Sequence, residues 1–157
     1  MKRLSVDDYF MTMALIAGAR STCQRRSVGC VILDENNHVM ATGYNGTPRG
    51  MSHCLDHPCP GVGLPSGEGL DVCQATHAEL NALIQCRNTM AIRRLYTTAK
   101  PCVQCIKSIM NTGCDEIVFY EDYPSSYKLR EGLLMRQHTS DLVRSFHMQL
   151  NRIRNMT

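Results

Sequence analysis

The chain has 157 residues, 43% of them apolar and 20% charged, and 17 Lys and Arg against 14 Asp and Glu leave a formal net charge of +3. A domain of this length buries roughly 70% of the unfolded chain's surface; the composition excludes a disordered chain, and the charge lacks the basic excess of a dedicated nucleic-acid binder. No apolar run approaches the roughly 18 residues that cross a bilayer, and Met1–Asp8 turns acidic before any apolar stretch, unlike a signal peptide, so a single cytoplasmic domain over residues 1–157 is expected, with neither membrane nor nucleic acid as partner.

Ser5 can cap a helix whose first turn holds Asp7 and Asp8, where carboxylates meet the positive end of the dipole. Apolar positions at Phe10, Met13, Ala14 and Ala17 carry it over about residues 5–20. Cys23 to Arg26 is a polar loop. Val28–Leu33 is apolar on both faces, as in a buried central strand. Asp34–Asn37 turns the chain, and His38–Tyr44 returns as the second strand of a hairpin. Residues 45–75 are rich in Gly, Pro, His and Cys and have no period; irregular chain of that length is usually functional or held by a ligand. Thr76 can cap a helix over about 76–89, with Leu80, Leu83 and Ile84 as its apolar stripe. A strand at 95–98, a helix at 102–112 closed by Gly113 as a left-handed residue, and a strand at 117–120 follow. Residues 126–137 suggest a further helix, and 142–150 a last strand. The alternation after residue 76 argues for an α/β sheet with helices on both faces.

Nine cysteines, an odd number, in a chain without an export signal argue against a disulfide framework. Cys30, Cys86 and Cys114 sit in apolar stretches and read as small buried hydrophobes. Cys102 and Cys105, after Pro101, open a predicted helix. Two thiolates at that spacing can reach one Zn²⁺, helped by free N–H groups and the positive helix end. A catalytic zinc takes three protein ligands and leaves one place to water; His77 supplies the third. Glu79 lies about 200° further round its helix. It is a poor additional ligand but is well placed to carry a proton for a metal-bound water, whose pKa zinc lowers to about 7. H-x-E followed by P-C-x-x-C is the pattern of zinc nucleobase deaminases.

On these motifs, about residues 5–123 resemble the deoxycytidylate deaminases of the cytidine deaminase superfamily. Arg26–Ile32 resembles the family's R-x-V-G-A-x-I strand, Gly43-Tyr44-Asn45-Gly46-Thr47-Pro48-Arg49-Gly50 its G-Y-N-G-x-P loop, and His77–Ala82 its metal helix. The resemblance implies a three-layer α/β/α sandwich around a five-stranded mixed sheet. It implies catalytic zinc on His77, Cys102 and Cys105, and Glu79 as the general acid/base that protonates N3 of cytosine and then the departing amine. dCMP becomes dUMP and ammonia, feeding dTMP synthesis. Asn45 would hold the deoxyribose, Arg25 or Arg26 the 5′-phosphate, Tyr123 would close over the sugar, and Ala78 would join the substrate contacts. Members are commonly hexamers, activated by dCTP and inhibited by dTTP. Gly43, Tyr44, Gly46 and Arg49 mark the region for a triphosphate effector, with which Mg²⁺ would enter.

Plainer readings stand beside several of these. Arg25 and Arg26 can be solvated loop cations, Asn45 can simply turn the chain with Gly46, and Tyr123 can anchor a loop. Cys23, His53, Cys54, His57, Cys59 and Cys73 are either reduced loop thiols and imidazoles or donors to a second, structural zinc, which some family members carry near this loop and which would keep it ordered. Arg136, Arg144, Arg152 and Arg154 lack interleaved aromatic residues and read as a solvated face or an oligomer contact. Two other functions share parts of the pattern. A tRNA adenosine deaminase would lack the Gly43–Gly50 loop in this form; Glu79 argues against a zinc-stabilised nucleotide sensor or DNA-uptake accessory without catalysis.

Overall fold

In the computed structural model, which describes residues 1–65, 68, 69, 71–122 and 133–156, Ser5 caps the first helix by accepting the backbone N–H of Asp8 at 3.0 Å. Helix α1 spans Val6–Gly18, strands β1 and β2 span Gly29–Leu33 and Val39–Tyr44, and helix α2 spans Ala78–Gln85. Strand β3 (Arg94–Ala99), helix α3 (Val103–Met110), strands β4 (Glu116–Glu121) and β5 (Leu134–Gln137) and helix α4 (Asp141–Arg154) follow. The strand order is β2-β1-β3-β4-β5. β1 pairs antiparallel with β2 and β3, whereas β3–β4 and β4–β5 are parallel. The parallel β3–β4 pair is joined by α3, the kind of crossover that such pairing requires.

Strand side chains alternate between two buried layers. Cys30, Ile32, Leu95 and Ile117 pack with Ala78 and Ala82 of α2 and Ile109 of α3. Val31, Leu33, Tyr96 and Val118 pack with Phe10, Met11 and Ala14 of α1 and Val143 of α4. The expected three-layer α/β/α sandwich with a mixed five-stranded sheet is the observed one. Val31, Ile32 and Leu33 of central β1 are wholly buried, and each such side chain contributes roughly 1.5–3 kcal/mol. Cys30, Cys86 and Cys114 are buried in the α2–α3 layer, as their apolar surroundings predicted.

Four expectations are corrected. The end of the helix expected over 126–137 is strand β5, and residues 126–132 lie outside the described ones. Met135 faces the α2–α3 core, while Arg136, across from Val118, donates to both Asp7 oxygens at 2.8 and 2.9 Å. The strand expected over 142–150 is helix α4. Ser140 caps it through the Val143 N–H at 3.1 Å, and Val143, Phe146 and Leu150 pack on the α1 side at helical spacing, while Met148 is exposed. Thr76 does not cap α2; its backbone exchanges hydrogen bonds with Gly46, and His77 is the N-cap. Gly113 is not left-handed. Its N–H donates to the Thr89 carbonyl, and a Cβ there would collide with the Met90 carbonyl, so close approach of two backbones requires the glycine. No helix among the described residues is long and apolar enough to cross a membrane.

Candidate active site

Strand β3 leaves the sheet through Lys100 and Pro101 and delivers Cys102 to the start of α3. Cys102 and His77 are the N-caps of α3 and α2, yet neither side chain caps its own helix. They turn to each other instead. His77 Nδ1 is 3.4 Å from Cys102 Sγ and 3.4 Å from Cys105 Sγ. All three donor atoms lie within 4.8 Å of one another, an arrangement that no other His, Cys, Asp or Glu group among the described residues reaches. A tetrahedral zinc with its usual bond lengths has N···S edges of about 3.5 Å, so donor types and spacing both fit zinc.

The electrostatics suit a cation. The Cys102 thiol is pulled down to about 3, first by its hydrogen bond with Cys105 and then by His77, against the opposing effect of burial. Cys105 is pushed well above the ordinary thiol value, first by the same contact with Cys102 and then by burial. His77 is raised, chiefly by Cys102. Glu79 sits beside this triad, with only 4% of its surface exposed. Its Oε2 accepts the Cys105 S–H at 3.5 Å, and its Oε1 is 3.3 Å from the Thr97 hydroxyl. Burial pushes its carboxyl above the ordinary value.

A cavity of about 240 Å³ opens over these groups, with Arg25, Arg26, Asn45, Ala78 and Lys100 also on its walls. Asn45 is buried and bridges two backbone positions: its Oδ1 accepts the Val28 N–H at 2.7 Å and its Nδ2 donates to the Arg26 carbonyl at 2.7 Å. Arg25 Nη2 reaches the carbonyls of Leu64, Pro65 and Glu68 at 2.6–3.2 Å and so pins that loop. Arg26 pairs with Glu121 at 2.7 Å. Ala78, the first residue of α2, is fully buried. Tyr123 lies outside the described residues.

Gly43, Tyr44, Gly46 and Arg49 do not line this cavity. Gly43 lets β2 meet the Ala78 and Ala82 backbone of α2, the Tyr44 carbonyl accepts from Asn81, Gly46 bridges Thr76, and Arg49 is in an exposed turn. In the 45–75 segment Cys54 and Cys59 are buried and Cys73 is partly so, whereas His53 and His57 are exposed. Buried Cys23 lines the cavity along with Cys73. Sequence reading missed Thr97 and Lys100. Thr97, a polar residue on a core-facing strand position, carried the only available signal, and Lys100 carried none beyond its place before Pro101 and Cys102.

An imidazole and two sulfurs meet at paired helix starts on a three-layer sandwich, with a buried carboxyl alongside, and their donor set fits zinc. Residues 4–121 match the model of the cytidine and deoxycytidylate deaminase zinc-binding region, and the chain belongs to that family. Deoxycytidylate deaminase of Schizosaccharomyces pombe is 39% identical over 152 residues, covering 94% of this chain and 44% of the relative. Deoxycytidylate deaminase of Saccharomyces cerevisiae is 38% identical over 144 residues, covering 87% and 46%. The chain therefore spans less than half the length of these two relatives. The crystal structure of dCMP deaminase from cyanophage S-TIM5 in apo form shares the fold, with a TM-score of 0.67 at 23% identity over 87% of this chain and 100% of that one. The same phage enzyme in complex with dCMP and dUMP gives 0.62 at 24% identity over 88% and 100%.

Proposed function

We propose that the protein hydrolyses dCMP to dUMP and ammonia, as a single catalytic domain over residues 1–157. The observation that carries this reading is the His77–Cys102–Cys105 triad with Glu79 buried beside it, opening into a cavity whose wall is cationic. The names of the two yeast relatives and the nucleotides bound to the phage enzyme support a pyrimidine nucleotide as substrate. Held by the triad, zinc would supply Lewis acidity and a water that ionises near neutral pH.

The chain's own residues do the rest. As a water oxygen bonds to C4, Glu79 takes one of its protons and gives it to N3 of the cytosine ring; the second proton of that oxygen passes through Glu79 to the amine, which leaves C4 as ammonia. A carboxyl with a raised pKa suits both directions of transfer. The neighbouring Thr97 hydroxyl fixes its orientation. Asn45 keeps one N–H and one lone pair beyond its two backbone bonds, enough for a sugar hydroxyl. Arg26 is the better phosphate partner of the arginine pair, because Arg25 is committed to three carbonyls. The family resemblance alone gives Tyr123 the role of a deoxyribose contact.

A second, structural zinc held among Cys23, His53, Cys54, His57, Cys59 and Cys73, a hexameric assembly, a cytoplasmic location, and activation by dCTP with inhibition by dTTP complete the reading; these rest on the family resemblance. Initial rates with and without dCTP or dTTP, each with and without Mg²⁺, test the regulation; a hyperbolic curve unmoved by either nucleotide refutes it. Ammonia release from dCMP, dCTP, CMP, deoxycytidine and a tRNA anticodon stem-loop, measured side by side, tests the assignment. dCMP is the expected best substrate; preference for the RNA adenosine, or no release from any of them, overturns it.

A further inference from the structure

We infer that Lys100 binds the 5′-phosphate and makes the site select a nucleotide over a nucleoside, with Asp122 as the residue that positions it; this rests on the deaminase reading above. Lys100 follows the last residue of β3, two positions before Cys102, and lines the cavity that holds His77, Glu79 and Asn45. A lysine normally keeps its ammonium in open water at the end of a flexible stem. Here the side chain is only 23% exposed. Its Nζ donates to Asp122 Oδ1 at 3.0 Å and stands 5.5 Å from the centre of the Phe119 ring. The Lys100 N–H also donates to the Glu121 carbonyl at 2.9 Å, which fixes the backbone from which the side chain departs.

Arg26 is treated in the same way, held at 2.7 Å by Glu121, the neighbour of Asp122. Two consecutive carboxylates at the end of β4 therefore anchor two cations from separate segments on one cavity wall. Arg25, Arg26 and Lys100 are the fixed cations among the cavity's lining residues. Arg25 Nη2 is spent on loop carbonyls. Lys100 and Arg26 are thus the groups best able to meet a phosphate dianion when the base lies over Glu79. Asp122 takes one of three ammonium donors, so a phosphate oxygen can share the same Nζ. Charge-assisted bonds of this kind are the strong ones.

The test uses dUMP and deoxyuridine in calorimetric titrations, and dCMP and deoxycytidine in steady-state assays, on wild type, Lys100→Met, Lys100→Arg and Asp122→Asn. Lys100→Met is expected to weaken dUMP and raise KM for dCMP by about tenfold to a hundredfold, with kcat within about threefold. Deoxyuridine, which has no phosphate, should bind as before. Lys100→Arg should recover most of the loss, and Asp122→Asn should raise KM a few-fold without changing kcat. Unchanged dUMP affinity in Lys100→Met, or equal loss for dUMP and deoxyuridine, overturns the inference. A wild type that binds dUMP but releases no ammonia from dCMP instead defeats the deaminase reading, while the ratio of the two binding constants still decides the role of Lys100.

Discussion

Two sulfur-rich regions lie near the same cavity and are held in different ways. Cys102 and Cys105 sit at the start of α3, and His77 heads α2; both helices are locked to the sheet through Ala78, Ala82 and Ile109. Their donor atoms are therefore fixed by elements that fold for other reasons. Cys54, Cys59 and Cys73 come from a segment of turns closed by a bridge from Gly46 to Thr76. There the Cys59 thiol is lowered first by the backbone of Gln74, then by that of Gly61 and by the thiols of Cys54 and Cys73. Helix starts on a packed sheet preset a three-donor site, as accurate metal chemistry requires; a loop can gather thiols but needs something bound to hold them.

The largest expected effect breaks the first region. Cys105→Ser or His77→Ala should lose the zinc of the triad and bring ammonia release below detection while the far-ultraviolet circular dichroism persists, because the sheet core does not depend on these side chains. Asn45→Ala should lower kcat/KM for dCMP by roughly tenfold to a hundredfold, since it removes two buried backbone bonds as well as the sugar contact; kinetics on a variant with unaltered zinc content checks this. Cys59→Ser probes the second region. Wild type should carry near two zinc per chain and the variant near one, with faster protease cleavage in residues 45–75 and turnover kept within about tenfold. A wild-type value near one removes the second zinc and leaves the loop thiols as reduced cysteines.

The smallest effect lies far from either region. Arg136, with help from the Tyr96 hydroxyl, holds the Asp7 carboxyl at about 2 against its ordinary 3.8. A depressed acid means that the unfolded chain binds the proton more readily. This contribution is therefore complete above about pH 4 and lost as the pH falls through about 2. Because the pair is partly solvated, Asp7→Asn should cost about 1 kcal/mol at pH 7 and nothing below pH 2, as read from urea unfolding at both pH values.

The triad and its carboxylate were legible because metal chemistry demands those residue types at those spacings, β1 and β4 because continuous apolar runs mark buried strands, and β2 because the turn at Asp34–Asn37 sends the chain back along β1. What escaped is instructive. Phe146, Met148 and Leu150 suggested a strand because period two fits three residues as easily as a helix does; Val143, one turn before Phe146, decides for the helix. Thr76 looked like a cap, but the long-range bridge to Gly46 claimed its backbone. Gly113 looked like a helix stop, but its smallness serves the Thr89–Met90 contact. The misses at Thr76 and Gly113 involve partners distant in sequence, which local pattern cannot contain. Lys100 escaped for the same reason: its meaning lies in Asp122 and in the shared cavity.

The most direct measurement determines zinc per chain and ammonia release from dCMP on the same preparations of wild type and Glu79→Gln. Unchanged zinc at the triad with release lowered by about a hundredfold to ten-thousandfold is the predicted result. Turnover within tenfold of wild type, or active wild-type protein without zinc, would contradict a proton-carrying Glu79 beside a His77–Cys102–Cys105 metal centre.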